Sequence, residues 1–313
     1  MTVIFLLIKY ALLYGVVLML VAMGGMWSEH SGVINIALEG IMTIGAVAGA
    51  LALCYLSKQP PVVMVIVSIL VACIAGILYS ALLAFASINL KADQTIGGTA
   101  LNLMGTALAL VLVKNYNMKH SATGGKSPKL TYINSHFFFK IGPLTLNIFL
   151  FIGIALLVLS FILMYKTKFG LRLRACGEHP QAAASVGINV FVMRWAGVLI
   201  SGLLGGLGGF AYIVPSVSDW NFEQGVAGMG FLSLAVMIFG QWHPLRIALC
   251  AIFFAVFKAL ADIYDSTFLS ALHLSKEIYR MMPFIASLVV LAFTSKSSKA
   301  PKAEGIPYDK GMR

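Results

Sequence analysis

The chain has 313 residues, 60% of them hydrophobic and only 11% charged, with a formal net charge of +11. Soluble domains carry about 25% charged residues, so this composition excludes an ordinary water-covered domain and turns length into a count of membrane spans. The positive excess sits in loops and in the tail, where it fits the charge bias beside membrane spans rather than a nucleic-acid surface.

A membrane-crossing helix needs about 20 mostly apolar residues. In chain order, such runs lie at 4–26, 33–56, 62–87, 96–113, 145–165, 191–214, 228–242, 245–263 and 279–295. In lipid only helices satisfy their own backbone groups over these lengths. The fold class is therefore all-α: a polytopic membrane protein of about nine transmembrane helices (eight to ten), forming one domain over 1–295 with a polar tail over 296–313. The first run lacks a charged leader and is too long for a secretory signal, so it reads as a retained span. The short run 228–242 and the polar, glycine-marked start of the second span, Ser31 to Leu38, predict interrupted helices. Residues 31–53 and 225–247 form a weak two-half repeat of the kind transporters use. Gly45 with Gly49, Gly202 with Gly206, and Gly205 with Gly209 are small pairs spaced for close helix packing.

Several motifs fail. TGGKS at 123–127 lacks the first glycine of a phosphate loop, since that position is His120. The run from Gly206 to Ala211 satisfies a dinucleotide spacing but lies in an apolar span with no βαβ unit. No zinc-protease motif, nucleophile elbow or metal-ligand spacing occurs, so no catalytic or metal residue is assigned. Cys54, Cys73, Cys176 and Cys250 have no paired spacing and read as packing residues.

The informative soluble stretch is 165–190, YKTKFGLRLRACGEHPQAAASVGINV. Pro180 suits the first turn of a helix and Gly187 its end, giving a short amphipathic helix between two loops on the cytoplasmic face. The loops 166–190 and the tail are separated by four spans and fall on one side; 114–144 falls on the other. Placing the first two inside puts the N-terminus outside.

FGLRLRACGEHPQAAASVGINV followed by SGLLGGLGGFAYI resembles the permease subunits of bacterial ABC importers in the ribose and branched-chain amino-acid superfamily. SGVINIALEGIMTIGAVAGALA and GMGFLSLAVMIFGQWHPL are similar to the narrower branch that works with basic-membrane-lipoprotein-type binding proteins, chiefly nucleoside importers. The resemblance covers roughly residues 10–295. It implies a transport subunit in the cytoplasmic membrane, not an enzyme, with ATP used by a separate ATPase and no cofactor on this chain. It also implies a second permease, as a heterodimer, and an external substrate-binding lipoprotein. Related permeases take simple sugars or riboflavin, so those substrates stay open. The family's ATPase-contacting role carries over to Gly170, Arg172, Arg174, Gly177, Glu178, Pro180 and Gly187.

Polar groups inside a membrane are costly and point to function. Asn35 and Glu39 share a helix face, and Asn102 lies mid-span. Asn35, Glu39, Asn102, Phe231 and Trp242 are the candidate lining of a substrate path. Glu39 either contacts substrate, serves as the coupling site of an ion-driven transporter, or braces a broken helix. Asn102 either lines the path or bonds between helices. Glu29 and His30, beside Trp27, read as an anchor at the membrane interface.

Overall fold

The computed structural model describes residues 3–120, 127–141, 144–264, 275–294 and 299–311. Eleven α-helices occur among them: α1 Val3–His30, α2 Leu38–Tyr55, α3 Pro61–Ala84, α4 Gln94–His120, α5 Ile148–Lys166, α6 Lys168–Glu178, α7 Pro180–Ser185, α8 Val190–Ile213, α9 Met229–Phe239, α10 Pro244–Asp262 and α11 Lys276–Thr294. Seven are long and apolar enough to cross a membrane: α1, α2, α3 with the π turn Phe85–Asn89 that extends it, α4, α5, α8 and α10. The sequence runs at 228–242 and 279–295 fall on α9 and α11. At 11 residues α9 rises only about 16 Å, roughly half of a bilayer's hydrocarbon core.

Among the described residues four short strands join the helices. β1 Lys129–Thr131 pairs antiparallel with β4 Asp219–Asn221, and β2 Phe138–Ile141 pairs with β3 Leu144–Asn147. They lie between spans, where the backbone can pair outside the helices. The motif TGGKS lies almost wholly outside the described residues.

Helix α8 is the hub and packs against α1, α2 and α3. Glycines make this possible. A Cβ at Gly45 would collide with the Gly206 backbone, and one at Gly76 with Gly202 and Gly206. Backbone thus meets backbone on two sides of α8, as small-residue spacing in membranes allows.

Two expectations change. The 166–190 segment is two helices, not one helix between loops: α6 starts at Thr167, whose hydroxyl accepts from the Gly170 N–H (3.2 Å), and α7 follows after His179. The tail is not simply a solvated polar end. The Ala303 N–H donates to the Gly177 carbonyl (2.8 Å), the Gly305 N–H to that of Gly32 (3.3 Å), and Arg194 Nη1 to that of Ile306 (2.9 Å). Lys91 and Asp309 form an ion pair at 2.7 Å, and Tyr308 is buried with Cys176, Ala183 and Val190. Burial inside this cluster raises the Cys176 thiol to about 11. The tail and 166–190 therefore share one end of the molecule.

Candidate functional site

Two broken helices meet in the interior. Before α2 the chain runs non-helically through 31–37, with Gly32 at φ +93°. Before α9 it turns at Gly225, Ala227 and Gly228, all at positive φ. The starts of α2 and α9 come together because Gly230 has no side chain: a Cβ there would strike the Glu39 backbone. Helix starts expose N–H groups without partners, and these favour an anion. Glu39 supplies it. Its Oε1 accepts from the Gly228 N–H at 2.8 Å and its Oε2 from the Gly230 N–H at 2.6 Å.

Asn102 performs the same service for α2. Its Oδ1 accepts from the Gly40 N–H (2.8 Å), and its Nδ2 donates to the Ile36 carbonyl (2.9 Å). The Ile34 N–H donates to Gln94 Oε1 (2.7 Å), and Asn35 Nδ2 donates to Ser201 Oγ on α8 (2.7 Å). Asn35, Glu39 and Asn102 are thus all buried and all tie the break together. Phe231, next to this junction on α9, is 47% exposed.

Trp242 lies elsewhere, beyond the far end of α9. Its indole N–H donates to Glu29, and its carbonyl accepts from His30 Nε2 (3.0 Å). Glu29 is only 3% exposed, so the interfacial reading of Glu29 is corrected. An acid beside a tryptophan suits an interface in sequence, but here the indole removes that acid from solvent. Glu304 of the tail sits against Glu29, and burial pushes its carboxyl up to about 7.

At this same end, Gly177 presses so closely on the His30 carbonyl that a Cβ would collide with it. Gly170 is pinned likewise against Leu163 and Met164 of α5. Arg174 lies over the Tyr165 ring, 4.7 Å from its centre. Pro180 opens α7, and Gly187 follows its end at φ +84°. Arg172 and Glu178 are exposed, with Leu171 and Val186 beside them. The segment is closely packed on its inner face and exposed on its outer one.

Sequence reasoning missed a third feature, a cavity of about 750 Å³ at the opposite end. Tyr10 and Tyr14 of α1, Tyr212 of α8, Trp220 of β4 and Phe284 of α11 line it, together with Asn221, Gln224, Lys258, Asp262 and Arg280. Gly225, Ala227 and Gly228 also line it, so it reaches the segment that Glu39 holds. The lining residues come from five separate parts of the chain, and no local pattern joins them. Among the described residues no cluster of three or more His, Cys, Asp or Glu could hold a metal.

Residues 7–291 match the family described as the branched-chain amino acid transport system / permease component. The chain is 39% identical to the Guanosine ABC transporter permease protein NupQ of Bacillus subtilis, over 96% of each chain. It is 36% identical to the Nucleoside ABC transporter permease protein NupC of Lactococcus lactis subsp. cremoris, over 96% of this chain and 95% of that one. It is 28% identical to the Putative glucose ABC transporter permease protein TsgC13 of Haloferax volcanii, over 78% of this chain and 73% of that one. The apolar bundle, its paired helix breaks and a match spanning nearly all of it make this chain a member of that permease family, a multi-pass membrane component of an ABC transporter rather than an enzyme.

Proposed function

We propose that this chain is the transmembrane subunit of an ATP-driven importer that carries nucleosides, purine nucleosides foremost, across the bacterial cytoplasmic membrane. The observation that carries this reading is the 39% identity, across almost the whole chain, to a permease named for guanosine. On this reading the end bearing α6, α7 and the tail faces the cytoplasm, and the N-terminus lies outside. A separate ATPase docks on the exposed face of Arg172, Glu178 and Gly187, held in place from beneath by Gly170, Arg174, Gly177 and Pro180. Movement there reaches the helix breaks through Gly177 and His30. A second permease completes the path beside exposed Phe231, and an external binding lipoprotein delivers the substrate. Asn35, Glu39 and Asn102 shape the path by holding the breaks; Trp242 fixes the cytoplasmic end of α9.

Uptake of labelled guanosine by a strain lacking this chain tests the reading. Lost guanosine uptake, restored by the chain, supports it; intact uptake sinks it. Loss of glucose, ribose or riboflavin uptake in its place would assign one of the alternative substrates. Arg172→Glu with Glu178→Arg is expected to release the ATPase on co-purification and to cut uptake more than tenfold in a folded protein. An ion-coupled mechanism through Glu39 finds no support in the geometry, because both carboxylate oxygens already accept backbone N–H groups. Collapse of the proton gradient with ATP maintained should therefore leave uptake running.

A further inference from the structure

The cavity at the end opposite α6 has a composition that the helix breaks do not explain. One wall is a run of aromatic rings. Tyr10 stacks on Tyr14 (centroids 6.0 Å, 18° between planes), Tyr14 meets Tyr212 at 6.0 Å, and Tyr212 meets Trp220 edge-on at 5.2 Å. Phe284 of α11 lines the same space. The outer rim carries the exposed side chains of Asn221 and Gln224. Three charged side chains line it as well: Asp262 accepts from the Tyr14 hydroxyl and pairs with Lys258 at 3.0 Å, and Arg280 comes from α11. The volume of about 750 Å³ lies within the range of small-molecule sites.

Each part selects for something. Flat rings reward a flat partner by stacking. Amides at the rim read donor and acceptor edges, as the edges of a purine present them. A Lys–Asp pair with a tyrosine hydroxyl can exchange hydrogen bonds with sugar hydroxyls without demanding net charge on the ligand. A free sugar would leave most of the aromatic wall unused, and an anion would meet Asp262 as well as Lys258 and Arg280. We propose that this cavity is an outer holding site for an uncharged nucleoside, with the base against Trp220 and Tyr212 and the ribose toward Asp262. This inference rests on the nucleoside reading above and deepens it. Gly225, Ala227 and Gly228 line the site, so a bound nucleoside lies directly against the segment that Glu39 locks. Onward passage then requires that segment to shift.

The test uses the complete importer, with its ATPase and second permease, in membranes. Ser216→Cys places a thiol on the cavity wall for labelling by a membrane-impermeant maleimide from outside. Guanosine is expected to slow that labelling at least several-fold, and free ribose is not. Trp220→Ala should weaken the protection about tenfold or more, Trp220→Phe should retain most of it, and Gln224→Ala, an exposed loop change with little effect on folding, should weaken it less. If the wild-type importer moves guanosine but guanosine gives no protection, or if Trp220→Ala and Gln224→Ala leave protection unchanged, the holding site is wrong while the nucleoside reading survives. Equal protection by ribose overturns the nucleoside assignment of the site. If the wild-type importer moves no nucleoside, the reading beneath the proposal fails as well.

Discussion

A carboxylate on the first turn of α2 that caps a different helix, α9, couples two elements through one side chain. Glu39→Gln keeps one acceptor but turns an NH₂ toward a backbone N–H. That mismatch is expected to cost about 1–3 kcal/mol, seen as a lower thermal midpoint in detergent and a parallel fall in uptake. If uptake and stability match wild type, the carboxylate is not what holds the break. Asn102→Leu removes partners from both Gly40 and Ile36 and should cost a similar amount. The sequence made Asn35, Glu39 and Asn102 conspicuous, because polar groups stand out in hydrocarbon. Their partners were not legible. Glu39 meets the backbone N–H groups of Gly228 and Gly230 and Asn102 meets backbone groups of Gly40 and Ile36, which carry no letter of their own, while Asn35 meets the Ser201 hydroxyl on a distant helix.

Among the elements, the small-residue stripes were readable because their spacing is local, and the structure sets Gly45, Gly206 and Gly209 against backbone and Gly49 and Gly205 against the side chains of Phe210 and Ile41. Gly206→Val drives a side chain into the α3 backbone at Ala72 and Gly76. It is expected to abolish the monodisperse folded peak on size-exclusion chromatography. Gly187→Ala makes a contrast, since open space surrounds that position and only its φ of +84° objects. The cost there should be about 1 kcal/mol and confined to the end of α7. Helix α6 was hidden in the sequence because its basic residues resemble a loop, and only the turn closed by Thr167 and Gly170 reveals a helix. The four strands were equally hidden, being three or four residues long and paired across distant stretches.

Across the whole molecule, the order of spans could be counted from hydropathy, whereas closure of the tail could not. The tail meets Gly32, Gly177, Arg194 and Lys91, contacts that no local periodicity announces. Its Glu304 carboxyl keeps its proton up to about 7, against 4.5 for the ordinary group, because burial disfavours the charge. Tail docking is therefore best supported at pH below 4.5 and loses that support as pH rises through 7. Hydrogen exchange at the Ala303 amide, compared between wild type and Glu304→Gln, should show a pH-dependent difference across this window. A difference that is flat in pH would show that the tail does not sense this proton. The shortness of α9 has a further consequence. Along its axis the protein insulates with about 16 Å of helix where the surrounding lipid offers about 30 Å. Electrical resistance there depends on how well the segment before Met229 stays seated. A chain whose Glu39 no longer grips that segment should leak: membranes carrying it ought to lose an imposed ion gradient faster than wild type, even with no substrate present.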